Sequence, residues 1–138
     1  MKKLGLDLGN KTLGIAISDE LNFLARGLDT YRFDEKDFVS ALEYTSTLVS
    51  QYNIDVVVLG LPKNMDGSQG EQAMICQDFK KELELKCNVT VVMWDERLTS
   101  RMASNMMINQ NLKRKKRKQD IDKMAAVIIL QGYLDSKS

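Results

Sequence analysis

The chain has 138 residues, 43% of them hydrophobic, which is enough to form one compact domain across residues 1–138. It contains no histidine, so an imidazole base, a His metal ligand and a Ser/His pair are all excluded, and Cys76 and Cys87 stand in no metal-binding or redox spacing. The net charge of +1 conceals a segregation: six of the 20 basic residues form the unbroken run Lys113 to Lys118, and the others are outnumbered by 19 acidic residues.

Lys3 to Leu8 reads as a strand, with Leu4, Leu6 and Leu8 on one face and Gly5 and Asp7 on the other. Gly9, Asn10 and Lys11 form a tight turn into a second strand, Leu13 to Ser18, whose bulky residues alternate with Gly14, Ala16 and Ser18. A third strand from Ala25 to Arg32 completes an antiparallel meander. From Glu35 to Tyr52 the apolar residues Phe38, Val39, Leu42, Leu48 and Val49 recur at helical spacing, and the β-branched run Ile54 to Leu59 follows as a buried strand.

Gly60 to Gly70 has loop composition, and Glu71 to Leu85 is compatible with a helix. Val89 to Trp94 reads as a second buried strand running out at Asp95 and Glu96, and Thr99 to Ile108 as a further helix. The basic run is expected to be a solvated, mobile segment, followed by a last helix from Ile121 to Leu134 with Asp120 as its N-cap. Three antiparallel strands followed by strands alternating with helices imply an α/β fold, a mixed five-stranded sheet flanked by helices.

Without histidine, acid–base or metal chemistry must rest on carboxylates. Asp7 is an acid in a central strand among Gly5, Gly9 and Gly14, where a charged ligand could approach the backbone; the structural alternative is an Asp bonded to turn amides. Asp95 and Glu96 stand where a strand runs out into a loop, pointing to opposite faces, although an acid pair there also suits a helix start. Asp122 shares a helical stripe with Ala125, Ala126, Ile129 and Tyr133, and it too is an acid that a helix N-terminus would favour.

Such a carboxylate set suits a hard cation, Mg²⁺ or Mn²⁺, which keeps open positions for phosphate oxygens. The basic residues Lys113, Arg114, Lys115, Lys116, Arg117 and Lys118 suit a phosphate backbone but lack interleaved aromatics for base stacking, and Lys11 in the first turn is a further candidate contact. No apolar run approaches the roughly 18 residues of a membrane span, and the N-terminus lacks a secretory signature, so a cytoplasmic protein without a membrane partner is expected.

Four segments, GLDLGNKTLGIAISD at residues 5 to 19, GLPKNMDGS at 60 to 68, DERLTS at 95 to 100 and DKMAAVIILQGYLD at 122 to 135, together resemble the YqgF/RuvX family in the correct order. That family is associated with Holliday-junction resolution and with pre-16S rRNA processing. The resemblance implies a ribonuclease H-like fold and a nuclease site in which Asp7, Glu96 and Asp122 hold the metal. It also selects Glu96 over Asp95 and puts Arg97 and the Gly60 to Gly70 loop near the substrate. Two positions depart from the family's pattern: Thr12 stands where an Arg is common, and Met102 where relatives often show an acid.

The expected function is metal-dependent hydrolysis of phosphodiesters in structured nucleic acid, RNA more than DNA, in 5′-end processing of pre-16S rRNA. Resolution of branched DNA junctions is the alternative, and a non-catalytic RNA-binding ribosome-assembly module a third. Actin-like and sugar-kinase-like ATPases have a similar first hairpin but need two such lobes to enclose ATP. A resolvase would want a two-fold homodimer, whereas an RNA-trimming enzyme could act as a monomer.

Overall fold

Leucines alternating with small or charged residues give β1 (Lys3–Leu8) one apolar face, and the same alternation recurs in β2 (Thr12–Ser18). The computed structural model describes residues 1–61, 70–95 and 114–137, the side chains of 114–122 excepted. β3 (Ala25–Arg32), α1 (Phe38–Tyr52), β4 (Val56–Leu61), α2 (Glu71–Lys86), β5 (Thr90–Asp95) and α3 (Arg114–Ser136) follow in chain order. The five strands form one sheet in the order β3-β2-β1-β4-β5. β1, β2 and β3 pair antiparallel, and β4 and β5 run parallel to β1.

Several expected boundaries move. The first helix starts at Phe38 instead of Glu35, because Lys36 takes the left-handed conformation (φ 63°) and Asp37 caps the helix by accepting the Ser40 N–H. The next strand starts at Val56 instead of Ile54. Asn53 ends α1 in the left-handed region, and the Ile54 N–H still donates to the Val49 carbonyl, so Ile54 is buried as part of the helix exit. β4 also runs on through Gly60 and Leu61, which were expected to open a loop but pair with Trp94 and Asp95.

The largest correction concerns the last helix. It begins at Arg114 rather than Ile121, so Arg114 to Lys118 are part of the helix, and Asp120 lies inside the helix instead of capping it. Lys, Arg and Gln are good helix formers, and no Gly or Pro interrupts the chain from Lys113 to Gln131. The expected helix from Thr99 to Ile108 lies outside the described residues.

Helices cover the two sheet faces unequally. α1 and α2 pack on the face carrying Leu4, Leu6, Leu8, Leu13, Ile15, Ile17, Val57, Leu59 and Val91, the main core. α3 packs on the other face, where Ala126, Ile129, Leu130 and Leu134 meet Ala16 and Val58. Val39, expected on the buried stripe of α1, is 67% exposed; Ala41, Thr45, Leu48 and Val49 fill that stripe. Cys76 is buried, Cys87 is half-buried, and both are free thiols.

Candidate nuclease site

The site is built around Asp7. Strand alternation puts it on the same face as Gly5, and that face lies under α3: a Cβ added to Gly5 would stand 2.7 Å from the Leu130 Cβ and 2.9 Å from the Ala126 carbonyl oxygen. Gly5 therefore lets the helix seat directly on the strand. Asp7, two residues further on, is half-buried at the end of the strand and pairs with Gly14 of β2. On its other side, β1 pairs in parallel with β4 as far as Leu6 with Leu59, and Gly60 is the next residue of β4. Neither glycine bears a side chain, and both are buried.

The direction of α3 decides which of its residues approach Asp7. The Ala25 N–H donates to the Gln131 side chain at 2.9 Å, while Gly27 lies under Lys123, whose aliphatic carbons come within 2.7 Å of where a Cβ would be. Moving along β3 from Ala25 to Gly27 thus moves along α3 from Gln131 back towards Lys123. Because β1 and β3 both pair antiparallel to β2, the N-terminal half of α3 lies at the Asp7 end of β1. Asp122 is one helical turn before Ala126, as Asp7 is two strand residues past Gly5. These are steps of about 5.4 Å and about 6.6 Å in the same direction. The strand position of Asp7 and the helix position of Asp122 are therefore brought to one end of the sheet.

The structure separates Asp95 from this pair. Val91 and Met93 pack into the main core and Trp94 into the α3 cluster, so Asp95, exposed at the end of β5, falls on the parity facing away from Asp7. Glu96 follows it directly and, with Arg97, Lys113 and residues 62–69, lies outside the described residues. Among the described residues no three carboxylate or thiol groups stand close enough to hold a metal ion; of the three expected metal acids, only Asp7 has a described side chain.

Lys11 is exposed in the β1–β2 turn, which is tied to the segment before α1: the Phe33 N–H donates to the Lys11 carbonyl at 2.9 Å and the Lys36 N–H to that of Asn10 at 2.8 Å. One contribution at this end has no sequence signature. The Gln72 side-chain amide donates to the Leu8 carbonyl at 3.0 Å, fixing the strand end beside Asp7 to the first turn of α2. Sequence reading had no means of finding it, since a glutamine in a helix carries no spacing pattern.

The RuvX family model, described as Holliday junction resolvase, matches residues 1–136. A relative from Bacillus pumilus (strain SAFR-032) is 54% identical over 136 residues, covering 99% of each chain, and one from Bacillus mycoides (strain KBAB4) is 51% identical over 137 residues, covering 99% of this chain and all of the relative. Both carry the name "Putative pre-16S rRNA nuclease". Among solved structures, fowlpox virus resolvase in complex with Holliday junction DNA superposes with a TM-score of 0.63 at 18% identity, covering 99% of each chain. Thermus thermophilus RuvC with a Holliday junction substrate gives 0.61 at 15%, covering 99% of this chain and 96% of that one. At these identities the two structures establish the fold, which is ribonuclease H-like.

Proposed function

The chain belongs to the RuvX family, and from that premise we propose that it is a divalent-metal-dependent nuclease that trims the 5′ end of pre-16S rRNA in the cytoplasm. The observation that carries this reading is the juxtaposition of Asp7, flanked by two glycine positions, with the N-terminal half of α3, which holds Asp122. RNA is preferred because full-length relatives at about half identity carry the pre-16S rRNA name. Resolution of branched DNA is the second reading, favoured by the description of the family model.

The donor chemistry fits a hard cation. Asp7 offers carboxylate oxygens, and Glu96 and Asp122 add two more acids of the same kind. Asp7, Glu96 and Asp122 would hold Mg²⁺ or Mn²⁺, which when bound polarises the phosphodiester and activates water. Asp7 is fixed by its strand, between β2 and β4. Asp122 is carried on a helix locked to the sheet at Gly5. Lys11, Arg97 and the basic residues 113–118 bind the phosphate backbone without reading its sequence.

The test is cleavage of a labelled precursor 16S rRNA fragment and, in parallel, a four-way DNA junction, with Mg²⁺, Mn²⁺ or EDTA, for the wild type and Asp7→Asn. Metal-dependent cutting of the RNA that Asp7→Asn abolishes is expected. Cutting of the junction alone would transfer the activity to branched DNA. Binding of RNA by both proteins with no cutting of either substrate would leave a non-catalytic assembly module.

A further inference from the structure

The edge strand β3 changes the parity of its side chains partway along. Ala16 of β2 pairs with Gly27, but the next residue back, Ile15, pairs with Asp29, so Leu28 is the extra residue of a β-bulge. Past the bulge, Gly14 pairs with Thr30, Leu13 with Tyr31 and Thr12 with Arg32. An unbulged strand would have placed Asp29 opposite Gly14 and Tyr31 opposite Thr12. A carboxylate and a phenol would then lie on the face that carries Asp7. Instead both are turned to α1. The Tyr44 hydroxyl donates to the Asp29 carboxylate at 2.6 Å, and the Tyr31 ring stacks on Tyr44 with centroids 4.2 Å apart while its hydroxyl meets Ser40.

With Tyr31 held on the α1 face, Arg32 falls on the opposite one. Asp7, Gly14 and Thr30 form a row across β1, β2 and β3, and Arg32 is one step along β3 from that row. Two strand spacings and two residues of rise separate the Cα atoms of Asp7 and Arg32 by roughly 12 Å. Arg32 is exposed and makes no ion pair with any described residue. Gly14 is buried and Thr30 half-buried, so a strand joining the two would pass the end of the sheet, where Lys11 is exposed.

We propose that Arg32 binds a backbone phosphate of the substrate strand next to the phosphodiester held at Asp7, and that the Leu28 bulge is the device that aims it there. A guanidinium takes a phosphate bidentately and is always charged, so it fixes the path of the strand across the sheet edge without selecting a base. The proposal rests on the reading of Asp7 as the centre of cleavage.

Arg32→Ala and Arg32→Lys are compared with the wild type in two assays: binding of the fluorescent precursor 16S rRNA fragment and of the four-way DNA junction in EDTA between 50 and 200 mM salt, and cleavage with metal. Thermal unfolding of each variant confirms that the edge strand is intact. For the substrate that is cut, Arg32→Ala is expected to weaken binding about tenfold and to reduce the salt slope by about one counterion. The loss in kcat/KM should fall mainly on KM. Arg32→Lys should recover the slope but only part of the affinity. Affinity, slope and KM of Arg32→Ala all within twofold of the wild type would overturn the assignment while leaving the nuclease reading intact. If the wild type cuts nothing yet Arg32→Ala loses affinity and slope, the phosphate contact stands and the cleavage reading fails.

Discussion

The two faces of the sheet are built on opposite principles. Towards α1 and α2 the strands present Leu4, Leu6, Leu8, Leu13, Ile15, Ile17, Val57 and Leu59, nearly all fully buried. Towards α3 the same strands present Gly5, Asp7, Gly14, Ala16 and Gly27. The first face supplies stability, since each large aliphatic side chain contributes about 1.5 to 3 kcal/mol when fully buried. The second gives up apolar volume, and gains a helix seated directly on the backbone at one end and a half-buried carboxylate at the other. Residues adjacent in sequence thus have different duties, and substitutions on the two faces should fail in different ways.

The largest effect is expected on the α3 face and should be purely functional. Asp7→Asn keeps the size and half-burial of the side chain but removes the charge. The cleavage rate should fall by at least about 100-fold, while the urea midpoint stays close to that of the wild type. A comparable loss of activity and stability together would mean that Asp7 is structural.

Leu6→Ala tests the opposite face one residue away. It leaves a cavity in the main core and should cost about 3 kcal/mol, measured by urea unfolding. The folded fraction should still cut substrate, because nothing on the α3 face has moved. Gly5→Ala, its other neighbour, adds one methyl where the Leu130 Cβ and the Ala126 carbonyl leave no space, and should cost about 2 kcal/mol. Because the displaced helix carries Asp122, Gly5→Ala should also lower activity per folded molecule, and Leu6→Ala should not.

The smallest effect concerns the polar exception on the α1 face. The hydrogen bond to Asp29, with burial second, pushes the Tyr44 phenol up from 10.0 to about 12. A phenol whose pKa is raised on folding contributes stability that is fully present below pH 10 and is lost as pH rises towards 12. Tyr44→Phe should therefore cost about 1 kcal/mol at neutral pH. The difference from the wild type should shrink above pH 10, and one late-titrating phenol should disappear from the ultraviolet titration.

Much of this molecule was legible in the chain. The alternation of Leu4, Leu6 and Leu8 with Gly5 and Asp7 fixes both the strand and the face of its acid, because side-chain direction in a strand depends only on parity. The absence of histidine limits the chemistry to carboxylates, and the four sequence blocks point to the family. The start of α3 turned on two competing local signals, and the remaining features that the chain did not show have non-local causes. α3 starts at Arg114 because helix propensity continues through the basic run, where charge patterning suggested a loop. The bulge at Leu28 leaves no mark in composition, since it exists only in the pairing of β3 with β2. Register and helix direction are set by partners distant in sequence. They decide that Asp95 faces away from Asp7, that Asp122 lies at its end of the sheet, and that Arg32 rather than Asp29 stands on its face.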